Sequence, residues 1–175
     1  MDLKEIKNIF ENSKYFSSIS IEDDFEFSGT ANIWDKNDIE ISIEFNPDYT
    51  DSLESYKFSL KQIEEKLTWI EKNKKLICKT FIEEEEMFYG LNEDIEKQLS
   101  KKGKAKIGNL EFDAPITEDE FSNSLYITYI NFYIEDEKNI SCNFDLDAEP
   151  DYLFGHLANI EIDEDNDILM GGING

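Results

Sequence analysis

The sequence predicts an α+β fold: an N-terminal helix and β-hairpin, central helices, and a C-terminal antiparallel β-meander. Three observations predict it. Strand-length apolar patterns fill an early block, alternating at period two up to Phe45, and a late block from Leu125 to Ile162, apolar on both faces to Ile134 and alternating from Ile140. Between these blocks apolar residues recur every three or four residues. No internal repeat and no Pro/Gly/Ser-rich linker divides the 175 residues, a length suited to one domain, so a single α+β domain over 1–175 is expected.

Residues 2–16 place Leu3, Ile6, Ile9, Phe10 and Phe16 on one helical stripe, which predicts a short amphipathic helix. Phe25, Phe27, Ala31 and Ile33 alternate, and Ile39, Ile41, Ile43 and Phe45 do so again after a polar turn at 35–38. This is the pattern of a hairpin with one wet face, with Gly29 marking a bulge or a close backbone approach. Asn46-Pro47 stops the second strand, and Asp51 or Ser52 can cap the next helix. Leu53, Tyr56, Leu60, Ile63, Leu67 and Ile70 give that helix its apolar stripe, too short for a coiled-coil assignment.

Asn73 punctuates. A second helix then carries Leu76, Ile77, Phe81, Met87 and Phe88 to a C-cap expected at Gly90, and a third runs from Asn92 to Leu99. Lysines 101, 102 and 104 follow it and complement a helix C-terminus. A short strand is expected through Ile107 to Phe112, then a short helix opened by the capping-box pattern Thr117-x-x-Glu120. Leu125 to Ile134 is apolar on both faces, as a central strand covered on both sides would be. Ile140 to Leu146 alternates with polar residues. Leu153 to Ile162 places Phe154, His156, Ala158, Ile160 and Ile162 on one face, and Ile168 to Ile173 supplies a last strand.

Composition bounds the function classes. Hydrophobic residues at 39% and aromatics at 13% supply too much packing material for a disordered chain. Against 41 acidic residues stand 17 basic ones, all lysine, for a formal net charge of −24. Such a surface repels nucleic-acid phosphates and anionic lipid and attracts cationic partners, so neither nucleic acid nor a membrane is an expected partner. The N-terminal stretch has no secretory-signal pattern and no apolar run is long enough to span a bilayer; with the lone Cys78 and Cys142, a reduced, cytoplasmic location is expected.

Motif chemistry is sparse. His156 is the one imidazole, with Asp147, Glu149 or Asp151 near enough in sequence to orient it, but its strand setting reads first as a buried, hydrogen-bonded histidine, and no nucleophile motif accompanies it. Asp163, Asp165 and Asp167 take positions 1, 3 and 5 of an EF-hand loop. Ile168 then stands where glycine is needed and Asn174 where the bidentate glutamate is needed. Phosphate-cradling glycine motifs are absent, and Gly171-Gly172 reads as a turn or close-packing element. No catalytic, cofactor-binding or metal-binding residue is therefore assigned, and no enzymatic activity or cofactor is expected.

Leu67-Thr68-Trp69-Ile70, Ile116-Thr117-Glu118-Asp119-Glu120-Phe121, the aromatic strand, Asp151-Tyr152-Leu153-Phe154-Gly155-His156 and the closing Gly-Ile-Asn-Gly are similar to a family of bacterial proteins of unknown function. The resemblance covers about the C-terminal two thirds. It implies a stand-alone intracellular α+β protein without assigned catalysis, of a kind that often looks like the immunity proteins encoded beside secreted toxins. The chain departs from the family pattern in lacking a Trp between Phe154 and Gly155.

Charge and resemblance together lead to an expected function: an acidic immunity protein that neutralises a cationic toxin domain, a nuclease being the natural class, by mimicking phosphates. The expected contacts are Glu26, Glu40 and Glu44 on the hairpin, Glu83, Glu84 and Glu86 on the helical face, and Asp145, Asp147, Glu149, Asp151, Asp163, Asp165 and Asp167 near the C-terminus. The alternatives are an enzyme or metal-dependent protein centred on His156, or a module for a small ligand.

Overall fold

A computed structural model describes residues 3–21, 25–49 and 52–174. Helix α1 (Leu3–Glu11) leads into strands β1 (Phe16–Ile21), β2 (Glu26–Ile33) and β3 (Lys36–Phe45). Helices α2 (Leu53–Lys72), α3 (Lys74–Glu84) and α4 (Met87–Lys102) follow. A small hairpin of β4 (Ala105–Ile107) and β5 (Leu110–Phe112) and the short helix α5 (Glu118–Ser124) come next. The chain then meanders through β6 (Leu125–Ile134), β7 (Ile140–Ala148), β8 (Leu157–Ile162) and β9 (Ile168–Asn174).

Seven strands form one sheet in the order β1-β2-β3-β6-β7-β8-β9. Every neighbouring pair is antiparallel except β3 and β6, which run parallel because the whole helical segment intervenes between them. The helices pack on one face. Phe10 of α1 and Tyr56 of α2 meet Phe27 and Phe45 of the sheet edge to face or stacked, at 5.1–6.3 Å between ring centroids. Phe81, Phe88, Phe121 and Tyr152 form a second aromatic group around α3 to α5. The buried apolar side chains make one connected cluster.

Local signals explain most boundaries. The Ser52 side chain accepts the Ser55 N–H at the start of α2; Asp51, the other expected cap, lies outside the described residues. Asn73 closes α2 and opens α3. At Thr117 both halves of the capping box are formed. Gly103, in the left-handed region at φ 69°, ends α4.

The structure corrects several expectations. Phe16 opens strand β1, which the alternation does not reveal, instead of extending α1. The tight turn is Trp34-Asp35, both at positive φ, and β3 resumes at Lys36. Trp34 tolerates that backbone because it is anchored: its N–H donates to Glu71 Oε2 at 2.9 Å and its ring Nε1 to the Ile70 carbonyl at 3.0 Å. The helix expected to end at Gly90 breaks earlier, at extended Glu85, and α4 passes straight through Gly90. The strand expected at 107–112 folds back on itself as β4 and β5.

β8 begins at Leu157, not Leu153, because residues 152–155 form a turn with Phe154 and Gly155 at positive φ. Gly29 has the close approach expected of it, since a Cβ there would stand 2.4 Å from the Ser18 carbonyl oxygen.

Candidate protein-binding face

β6 is central but not covered on both sides. Ile127, Ile130, Phe132 and Ile134 are buried toward the helices, while Tyr126, Tyr129 and Tyr133 stand on the opposite face, half-buried or, for Tyr133, 42% exposed. The register fixes their neighbours. Tyr129 lies between Glu40 of β3 and Asp145 of β7, Tyr133 is paired with Glu44, and Tyr126 with Asp147. Glu26 is the partner of Glu44 across β2 and β3, and Glu161 pairs with Asn143 one strand further out. Five of the acids expected as contacts, Glu26, Glu40, Glu44, Asp145 and Asp147, are thereby gathered on one side of the sheet.

The balance of charge on this face differs from the rest of the molecule. Lys36 is the single basic residue in the seven strands. By contrast, helical acids carry lysine neighbours at i,i+3 or i,i+4, among them Glu83 with Lys79 at 3.4 Å and Glu93 with Lys97 at 3.2 Å. Glu83, Glu84 and Glu86 sit exposed at the α3–α4 junction in that helical layer, apart from the sheet acids.

Several carboxylates are held in place. Tyr126 donates its hydroxyl to Asp147 Oδ2 at 2.8 Å; burial, with help from that bond and from nearby acids, pushes its pKa up to about 12. Burial also raises Tyr129. Asn159 Nδ2 donates to Asp145 Oδ1 at 2.9 Å, and Asn131 Nδ2 to Glu44 Oε1 at 2.9 Å. Lys36 Nζ lies 4.3 Å from the centre of the Tyr126 ring and 3.2 Å from Glu149 Oε2, a cation held by one ring and one carboxylate. Beside Tyr129 the small side chains of Ser18, Ser28, Thr30 and Ser42 leave an open depression of about 410 Å³.

Of the remaining expected acids, Asp151 and Asp163 serve turns. Asp151 Oδ1 accepts the Gly155 N–H at 2.9 Å. Asp163 Oδ1 accepts from the amides of Asp165 and Asp167 at 3.0 and 2.8 Å, and Lys66, 7% exposed, donates to the Asp163 carbonyl and to Asn166 Oδ1. Asp165 and Asp167 themselves point to solvent. No group of three or more His, Cys, Asp or Glu among the described residues is placed to hold a metal ion.

His156 is half-buried in the segment before β8, not packed on a strand face as expected. Its side chain has no hydrogen-bond partner among the described residues, and none of Asp147, Glu149 and Asp151 bonds to it. The residues around it pack: Leu153 is fully buried, Tyr152 stacks on Phe121 at 6.0 Å, and the Phe154 ring lies against the Gly108 turn of the small hairpin. A depression of about 630 Å³ lies elsewhere, between Asp48 and Phe58.

Sequence reasoning missed Tyr129, Tyr133, Asn131 and Glu161 on the open face. The signal is present in β6, whose second set of alternate positions is tyrosine and asparagine, residues that carry a polar tip. No helix among the described residues is long and apolar enough to cross a membrane. No curated protein and no solved structure matches the chain. A family model does match residues 7–173, nearly the whole chain, and by it the protein belongs to the family described as uncharacterized proteins conserved in bacteria, DUF2262.

Proposed function

We propose that the protein is an acidic binding protein whose uncovered sheet face receives a basic protein partner, and that it serves as an immunity protein neutralising a cationic toxin domain, with a nuclease as the partner class. The observation that carries this reading is the face itself: Glu26, Glu40, Glu44, Asp145, Asp147 and Glu161 surround three tyrosines with one lysine among them. Tyrosines supply contact area at low entropic cost, and the clustered carboxylates raise the association rate of a cationic partner and resemble a run of phosphates.

The test is binding to the product of the neighbouring gene, measured at low and high ionic strength. Association slows steeply with salt, and replacing Glu40, Glu44 and Asp145 together by their amides lowers it by about tenfold or more. A partner that binds with no salt dependence, or equally well to the triple amide variant, refutes the reading.

A further inference from the structure

We infer that the centre of the open face is a receptor for one arginine side chain of the basic partner, seated over Tyr129 between Glu40 and Asp145. This rests on the reading of that face as the partner-binding surface and names the group it recognises.

The chain displays the principle on itself. Tyr126, with the acids beside it, already holds a cation, since Lys36 Nζ stands 4.3 Å above its ring and 3.2 Å from Glu149. Tyr129 repeats this chemistry further along the same strand with acidic positions on both sides, and no cation of the described residues lies over its ring. Its two neighbours are a strand spacing away on either side, about 5 Å each. A planar guanidinium can lie on a ring while its edge N–H groups donate outward to two carboxylates, which a compact ammonium does less well. The depression beside Tyr129, floored by serines and Gly29, gives the side chain a way in.

A second observation points to a donor. Asn131, on the same face two residues from Tyr129, is 4% exposed, and its Oδ1 accepts no hydrogen bond from the described residues. The amide cannot simply be turned over, because its Nδ2 donates to Glu44 Oε1 at 2.9 Å, a bond that a carboxylate can only accept. A buried acceptor fixed in one orientation without a donor is uncommon in folded proteins. An N–H brought in by the occupant completes it.

The experiment is an NMR titration of the full chain with a capped tri-arginine peptide, with tri-lysine alongside. The expected result is a set of shifts centred on the Tyr129 ring and the Asn131 side-chain amide, with tri-arginine preferred. Affinity falls about tenfold for Tyr129→Leu and for Glu40→Gln with Asp145→Asn, and stays unchanged for Tyr129→Phe and for Glu83→Gln with Glu84→Gln. Retention by the Phe variant guards against reading a folding defect as lost binding.

Equal binding of the two peptides, shifts spread over Glu83–Glu86 and the Asp163–Asp167 turn, or indifference to Tyr129→Leu overturns the inference. Should tri-arginine seat at Tyr129 while the neighbouring gene's product fails to bind, the immunity reading falls and the arginine receptor stands. The converse result, a bound partner with no arginine at Tyr129, keeps the immunity reading and removes the receptor.

Discussion

Lys66 is the position where one substitution reads out the balance between desolvation and hydrogen bonding most directly. Its ammonium, in a side chain 7% exposed, donates to the Asp163 carbonyl at 2.5 Å and to Asn166 Oδ1 at 2.8 Å, tying the middle of α2 to the β8–β9 turn. Lys66→Met keeps most of the packing of the stem and removes both bonds. Each bond from a charged donor is worth about 1.5–3 kcal/mol, and release from the burial that lowers the lysine pKa returns part of this.

A net loss of about 1–3 kcal/mol is expected, a fall of about 3–10 °C in Tm for a chain of this length. Calorimetry and urea titration measure it, and hydrogen exchange at residues 165–167 should quicken first. The pH dependence has a definite sign. With the folded-state pKa lowered, the unfolded chain binds the Lys66 proton more tightly, so wild-type stability gains with pH between the folded value and the ordinary value near 10.4, and the gap to the Met variant widens across that window. A Met variant as stable as the wild type, or a gap that narrows with rising pH, would show that Lys66 does not pin the turn.

Two further outcomes test the fold. Cys78 and Cys142 are fully buried, and burial pushes their thiols up to about 11 and about 12, so neither should react with a thiol reagent at neutral pH until the protein unfolds; labelling of the native chain refutes this. Gly29→Ala drives a methyl to 2.4 Å from the Ser18 carbonyl oxygen and should cost about 1–3 kcal/mol, with exchange protection lost first along β1; an unchanged urea midpoint contradicts the close approach.

Elements specified by neighbours in sequence are legible: the stripe and cap of α2, the Thr117 box and the span of β6 all rest on spacings within a few residues. β1 is hidden because its register with β2 shifts between Phe16 and Ser18 and one of its sides is serine, so the alternation breaks within six residues. Gly90 resembles a helix end because a glycine in a helix with open space around it looks the same as a cap until the turns on both sides are known. Sequence alternation sets His156 on a strand because Phe154 and Gly155 give no sign in sequence of the positive φ that turns the chain there.

At the candidate site the outward direction of Glu40, Glu44, Asp145 and Asp147 follows from alternation alone. Their convergence does not, because it depends on β3 and β6 lying side by side. That pairing is a tertiary event. In sequence the tyrosines of β6 pass for apolar bulk, and the consequence of their second face emerges only once the helices are seen to cover the other.

The parallel pair β3 and β6 is a seam. It joins an N-terminal three-stranded piece to a C-terminal four-stranded piece through contacts between residues that only the completed helical excursion brings together. Contacts of such sequence separation close late, after the local hairpins have formed. Glu40 lies on one side of that seam and Tyr129 and Asp145 on the other. The proposed partner surface therefore does not exist in either piece alone: it is complete only once the seam has closed.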